Sequence, residues 1–232
     1  MWYEITFGLP SKYTYLTLLI LSVMGPFCLS FDKRVAFYKS WKQLILPIVV
    51  ASTFYIIWDI IFTKLGVWRF NAPYLIGINI FNLPIEEYGF FFVVPYASAF
   101  IYVCIESYFP KIQSQEYPNL SRLVSIIILA ISFSSIVYKP THLYTIITFS
   151  LLIGGILYTE LNKKKYLLRL YISWAICLLP MSYVNGILTG KPVLIYNELE
   201  NLGIRIGTIP FEDFFYHLLY MVILIALYER KR

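Results

Sequence analysis

Charge is distributed along this chain in a way that leaves few folds open. No residue between Lys12 and Asp32 is charged, and further apolar runs cover about 43–63 with Asp59 its one acid, the stretch from Pro84 that is uncharged over Tyr88–Ile105, 123–138, 141–159, 170–190, and 210–228 with Glu212 and Asp213 near its start. Each is close to the ~20 apolar residues that a helix needs to cross a bilayer. Only 14% of the 232 residues are charged and 59% are hydrophobic. A soluble domain carries about 25% charged residues. A disordered chain needs low hydrophobicity and high net charge. Both classes are excluded, and the expected fold is an all-α integral membrane protein with seven transmembrane helices.

The basic residues set the sidedness. Thirteen Lys and Arg fall in the 1–2, 3–4 and 5–6 loops and the C-terminal tail, against six on the other side. The positive-inside rule therefore predicts a multi-pass protein of the cytoplasmic membrane, N-terminus outside and C-terminus cytoplasmic. The net charge of +6 is read as loop topology, with no nucleic-acid partner. Residues 1–12 contain Glu4 and lack a basic start, so the first helix is expected to be retained and not cleaved as a signal. Cys28, Cys104 and Cys177 all lie in apolar runs and read as small buried hydrophobes.

The chain repeats itself at an offset of 126 residues. Pro84-Ile85-Glu86-Glu87 matches Pro210-Phe211-Glu212-Asp213, Asp59 matches Asn185, Phe70-Asn71 matches Tyr196-Asn197, and Gly77 matches Gly203. The unit is three helices, with one helix between the two units. That extra crossing gives both units the same orientation, so the repeats are predicted to be parallel, in a 3+1+3 plan. The expected boundaries are 1–108 for the first repeat, 109–139 for the linker and fourth helix, and 140–232 for the second repeat.

The repeated motif puts two acids in the first turn of a helix. One reading is capping, since the helix dipole favours acids there. The other is a site. The acids come in adjacent pairs, twice, and open directly onto uncharged helices, where carboxyls are costly and face a cavity or a partner. Several converging carboxyls share protons, and a protonated, partly desolvated carboxyl is a general acid. Asp59, alone in an apolar span on the same side, fits the second reading. Its counterpart Asn185 cannot ionise, which suggests divided roles. The segments 64–83 and 190–209 are expected to fold back over the bundle as lids or re-entrant turns. Arg205, in the second, is placed to pair with Glu212 or Asp213.

No dinucleotide fingerprint, Walker motif or metal-ligand spacing occurs. No cofactor and no metal are therefore expected, and the sequence leaves a requirement for reduced flavin open. His142 and His217 read as polar packing residues.

The stretch Trp58-Asp59-Ile60-Ile61-Phe62, Gly66-Val67-Trp68-Arg69-Phe70-Asn71, Tyr74-Leu75-Ile76-Gly77 and Leu83-Pro84-Ile85-Glu86-Glu87-Tyr88-Gly89-Phe90-Phe91 resembles the lycopene cyclase domain of the heterodimeric carotenoid cyclases. Tyr183-Val184-Asn185-Gly186 through Ile209-Pro210-Phe211-Glu212-Asp213-Phe214-Phe215-Tyr216 resembles the partner domain, here fused in one chain. The resemblance implies a lycopene β-cyclase, an isomerase (intramolecular lyase) of carotenoid biosynthesis. It closes the linear ends of lycopene by protonation, ring closure and proton loss. It implies Glu86 and Glu212 as the acid/base core, Glu87 and Asp213 as residues that tune protonation, and Asp59 as a supporting acid. Tyr88, Phe90, Phe91, Phe214, Phe215 and Tyr216 become candidates for contact with a cationic substrate, with Asn185 and Arg205 as polar contributors. The implied partners are a linear carotenoid and the bilayer, with carotenoid-pathway enzymes or a second copy of the chain left open. The alternative is a proton-coupled small-molecule transporter of the same 3+1+3 architecture.

Overall fold

The computed structural model describes residues 11–112 and 115–231. The expectations for the first ten residues and for Arg232 lie outside them. Among the described residues seven helical spans are long and apolar enough to cross a membrane, built on α1 (Thr14–Leu29, extended by a helical turn from Ser11), α2 (Trp41–Leu65), α3 (Ile85–Tyr108), α4 (Pro118–Tyr138), α5 (Leu143–Leu161), α6 (Leu167–Gly190) and α7 (Phe211–Lys231). The α4 helix starts at Pro118, five residues before the expected start of its span. Its first turn is polar and uncharged apart from Arg122, and proline fits a helix N-terminus because its missing N–H has no partner there anyway.

The two halves use equivalent contacts. Helix α3 packs on α1 and α6, and α7 packs on α5 and α2. Helices α3 and α7 also touch each other. The core follows: α7 is buried along most of its length, whereas α1 exposes much of its surface. Helix α4 docks on α5. Ser121, Ser125, Ser132 and Ser135 are buried along one face of it, at spacings that put small residues on a single helical stripe. Small residues let two backbones approach in a membrane, where apolar burial alone gives no preference over lipid. Ser125 anchors the contact through Glu160 Oε1 (2.5 Å) and the Tyr171 hydroxyl (2.8 Å).

The segments expected as lids contain short strands: β1 (Trp68–Phe70), β2 (Asn79–Ile80), β3 (Leu83–Pro84), β4 (Leu194–Tyr196), β5 (Arg205–Ile206) and β6 (Ile209–Pro210). Strands β2–β3 and β5–β6 are tight hairpins that lead straight into α3 and α7. Both are closed by the same bond, Ile85 N–H to Ile78 O and Phe211 N–H to Ile204 O, each 2.9 Å. Backbone handedness repeats as well. Gly77 and Gly203 both have positive φ, and so do the turn residues Phe81 and Gly207. Glycine suits that left-handed turn at 207, while Phe81 adopts it against its steric preference.

Strands β1 and β4 pair with each other, one from each half, antiparallel. Trp68 lies opposite Tyr196, Arg69 opposite Ile195, and Phe70 opposite Leu194. The 126-residue shift maps this ladder onto itself, with Arg69 and its counterpart Ile195 at the centre. The flanking bonds obey the same relation: Asn71 N–H to Val193 O and Asn197 N–H to Val67 O. A pseudo-twofold axis therefore passes through the ladder, and both acidic motifs lie at the same end of the bundle. The repeat was legible in sequence, but the strand that stitches its halves together was not.

Candidate active site

A cavity of about 370 Å³ lies between α1, α3, α6 and α7, roofed by the β1–β4 ladder. Three carboxylates border it: Asp59 from α2, Glu87 from α3 and Asp213 from α7. They are 1%, 5% and 3% exposed. Below them the walls are almost wholly apolar.

Each acid is held by donors of a different kind. Asp213 is the most fully bonded. Its Oδ1 accepts from the Tyr144 hydroxyl (2.7 Å), and its Oδ2 accepts from the Tyr196 hydroxyl (2.8 Å) and Asn185 Nδ2 (3.1 Å). Glu87 accepts a hydrogen bond from Tyr15. Asp59 Oδ1 accepts from the Trp68 indole N–H and from the Thr63 hydroxyl (3.3 Å). Asp59 Oδ2 is buried with no hydrogen-bond partner among the described residues. Glu87 interacts electrostatically with both Asp59 and Asp213, so the three form one charge system. Among the donors, Tyr196 lies outside the membrane spans. Burial and the adjacent Asp213 carboxylate raise its hydroxyl well above the usual tyrosine range, so it stays a donor.

The acidic pairs of the repeat divide their work. Glu86 and Glu212, expected as the acid/base core, do not border the cavity. They turn back towards their own loops, where Glu86 Oε1 accepts the Ile76 N–H (2.7 Å) and Glu212 Oε1 accepts the Leu202 N–H (2.6 Å). Ile76 and Leu202 are themselves related by the 126-residue shift. Glu212 also accepts from the Thr145 hydroxyl (2.6 Å). The reason is helical geometry: adjacent residues point about 100° apart, so only one of two neighbouring acids can face the cavity.

The other expected residues separate in the same way. Phe90, Phe91, Tyr216 and Asn185 border the cavity. Phe214 and Phe215 are buried elsewhere, Phe215 against Phe149, Trp174 and Phe211. Tyr88 points out of the site and bonds Ile80 O (3.0 Å). Arg205 pairs with Glu198 and donates to Thr208 O (2.5 Å), not to Glu212 or Asp213. It sits on the outer face of a hairpin, close to an exposed acid, whereas both motif acids point inward. Sequence reasoning missed Tyr15, Trp68, Tyr144 and Tyr196, which supply the donors. It also read His217 as packing, yet His217 borders the cavity and meets Ser98 Oγ at 3.0 Å through Nε2. The one signal available was aromatic excess, which does not distinguish a donor tyrosine from a packing one.

The site is not duplicated. The shift that relates the halves takes Met181, Val184 and Leu188, which border the cavity, onto Tyr55, Trp58 and Phe62. It takes Val94 onto Tyr220. These larger rings pack on one another: Tyr55 on Trp58, Tyr216 and Tyr220 at centroid distances of 5.5, 4.6 and 4.2 Å, and Trp58 on Phe62 at 5.5 Å. Aromatic bulk occupies the place that the smaller side chains of α6 leave open.

The fold and the site define an intramembrane pocket that gathers buried carboxyls from both halves of a duplicated helical bundle around an apolar chamber. The family model described as lycopene cyclase matches residues 12–105 and 141–230, one block in each half. The chain belongs to the lycopene cyclase family, and its activity class is carotenoid cyclisation. The transporter alternative has no support of this kind. No curated protein and no solved structure matches the chain.

Proposed function

We propose that this protein is a lycopene β-cyclase that uses Asp59, Glu87 and Asp213 as its acid/base machinery. The observation that carries this reading is the convergence of three carboxyl groups on one apolar cavity. Cyclisation requires a proton delivered to carbon 2 of the terminal double bond. The cation at carbon 1 is then attacked by the 5,6 double bond, and loss of the carbon 6 proton leaves a β-ring. Each ring closure takes up one proton and gives one back, and no electrons are transferred.

Asp59 is the proposed proton donor, since its Oδ2 is the one oxygen of the three acids recorded as buried without a partner. Asp213, with three donors around it, suits the role of an acceptor facing the developing cation. Glu87 lies between them electrostatically and completes the proton exchange. The rings of Phe90, Phe91, Trp68 and Tyr216 border the same space, where an aromatic face stabilises a cation that water would quench. Glu86 and Glu212 hold the loops that roof the pocket. Two structural domains, 1–108 and 140–232, contribute to this single site. The protein resides in the cytoplasmic membrane with the carboxylates near the outer face. A cavity of this size takes one end group at a time, so the two ends of the substrate would be cyclised in succession.

Expression in a lycopene-accumulating bacterium tests the reading. The expected result is a colour change from red towards yellow and a product of unchanged mass that carries β-rings. Unchanged lycopene in membranes that contain the protein would contradict it.

A further inference from the structure

The cavity is closed towards the loops and open towards lipid. Trp68 and Tyr196 roof it at the ladder. At that end α1 and α6 meet directly, with Tyr15, Leu18 and Leu19 packed on Ile187 and Leu188. Deeper in the bundle both helices contribute residues to the cavity wall. There Leu21 and Tyr183 border the cavity and are also 38% and 45% exposed. Pro180 shares both properties. A side chain that borders a cavity and is exposed on the outer surface marks the rim of an opening.

The depth of this opening decides what it faces. Leu21 lies seven residues from the start of α1, and Tyr183 seven from the end of α6. At 1.5 Å per residue each is about 10 Å inside the helix ends, within a hydrocarbon core about 30 Å thick. The opening therefore meets lipid tails, not water. Both helices carry a proline at its rim, Pro26 in α1 and Pro180 in α6. Each removes a backbone hydrogen bond and permits a bend there. The cavity volume is at the lower end of the range for drug-sized ligands, enough for one folded end of a C40 chain but not for the rest.

Building on the cyclase reading, we propose that the cleft between α1 and α6 is a lateral passage through which a linear carotenoid enters from the bilayer, and the seat of the polyene portion that stays outside the cavity during ring closure. An aqueous route is not needed for a hydrocarbon that never leaves the membrane. The open side lets the end group reach the acids while the remainder of the chain lies along α1 and α6 among the lipids.

Two measurements test this. The first is photocrosslinking in membranes loaded with lycopene, with benzoylphenylalanine placed at Leu21, at Tyr183 and, as a control, at Phe133, which is 65% exposed on α4. Pigment attached at the first two positions and about tenfold less at the third is expected; equal capture at all three overturns the passage. This readout does not depend on turnover, so it survives a failure of the cyclase reading, which would appear as wild-type protein that converts neither lycopene nor a shorter analogue. The second compares Ser22→Trp and Pro180→Trp, at two positions of α1 and α6 that border the cavity, where the larger side chain fills the cleft. Conversion of lycopene should fall about tenfold or more, while a C20 polyene with the same acyclic end group, short enough to leave the cleft empty, is cyclised within about threefold of wild type. Wild-type conversion of lycopene by both variants, or equal loss of both substrates, overturns the proposal.

Discussion

Trp68 and Tyr196 stand opposite one another in the β1–β4 ladder, and each donates a hydrogen bond to a carboxylate: Trp68 to Asp59 and Tyr196 to Asp213. One antiparallel pair of residues thus clamps an acid on α2 and an acid on α7. The ladder is the only direct strand pairing between the halves among the described residues. It fixes the spacing of the acids more tightly than helix packing alone would.

Removing either donor while keeping an aromatic side chain should weaken catalysis without dismantling the pocket. Hydrogen bonds to charged groups contribute about 1.5–3 kcal/mol, so Trp68→Phe and Tyr196→Phe are each expected to slow cyclisation roughly 10- to 100-fold. Initial rates in membranes, normalised to protein amount, measure this. Rates within twofold of wild type for both variants would show that the ladder does not position the acids.

The Tyr196 hydroxyl carries a pKa raised by burial and by Asp213, so it is protonated throughout the accessible range. The sign is that of an acid made weaker: its proton is lost only at a pH above the ordinary tyrosine value of about 10. Tyr196 should therefore add no step to the pH–rate profile between about pH 5 and 9. Wild type and Tyr196→Phe are expected to give profiles with the same number of limbs and different height, because the hydroxyl itself contributes none. A limb present in wild type and missing in the variant would contradict this.

Glu86 and Glu212 are expected to act on stability. Glu86→Ala and Glu212→Ala strip partners from the half-buried loop amide of Ile76 and the buried one of Leu202, at a cost of about 1–3 kcal/mol each. Glu212→Ala should be the worse of the two, because Thr145 also loses its acceptor. Thermal unfolding in detergent measures the loss, and unchanged midpoints for both would refute the anchoring role.

Much of this arrangement was legible in the sequence. Seven apolar runs and a fixed 126-residue offset were enough for the helices, the 3+1+3 plan and the end of the bundle where the acids gather. Asp59 stood out because an ionisable residue in an apolar span is costly unless it faces a cavity or partner. The choice between Glu86 and Glu87, or between Glu212 and Asp213, was not legible. It depends on helix phase, and a repeat preserves phase without revealing which face is inward. The tyrosine donors were hidden for a similar reason. Tyr15 and Tyr144 reach Glu87 and Asp213 from helices far away in sequence, outside the ungapped part of the repeat.

At the opposite end of the bundle, Arg169 is buried and pairs with Glu106 (2.8 Å). It lies in the first turn of α6, sixteen residues from Asn185, about 24 Å away along the helix. Arg169→Met removes the buried cation from Glu106, whose side chain is 24% exposed, and is expected to cost about 1–3 kcal/mol of stability. Turnover per folded molecule should not change. A selective loss of turnover with stability intact would place Arg169 in the catalytic apparatus.

The central claim is that the acids bordering the cavity, and not their sequence neighbours, close the ring. Glutamine and asparagine keep the shape of each side chain and remove the titrating proton. At positions 86 and 212 the amide oxygen still accepts the loop N–H. In lycopene-accumulating membranes with matched protein levels, Glu87→Gln and Asp213→Asn should reduce cyclic product by at least about 100-fold, the scale of lost general acid–base catalysis, while Glu86→Gln and Glu212→Gln should retain most of it. The reverse order, with product lost at 86 and 212 and kept at 87 and 213, would contradict the account.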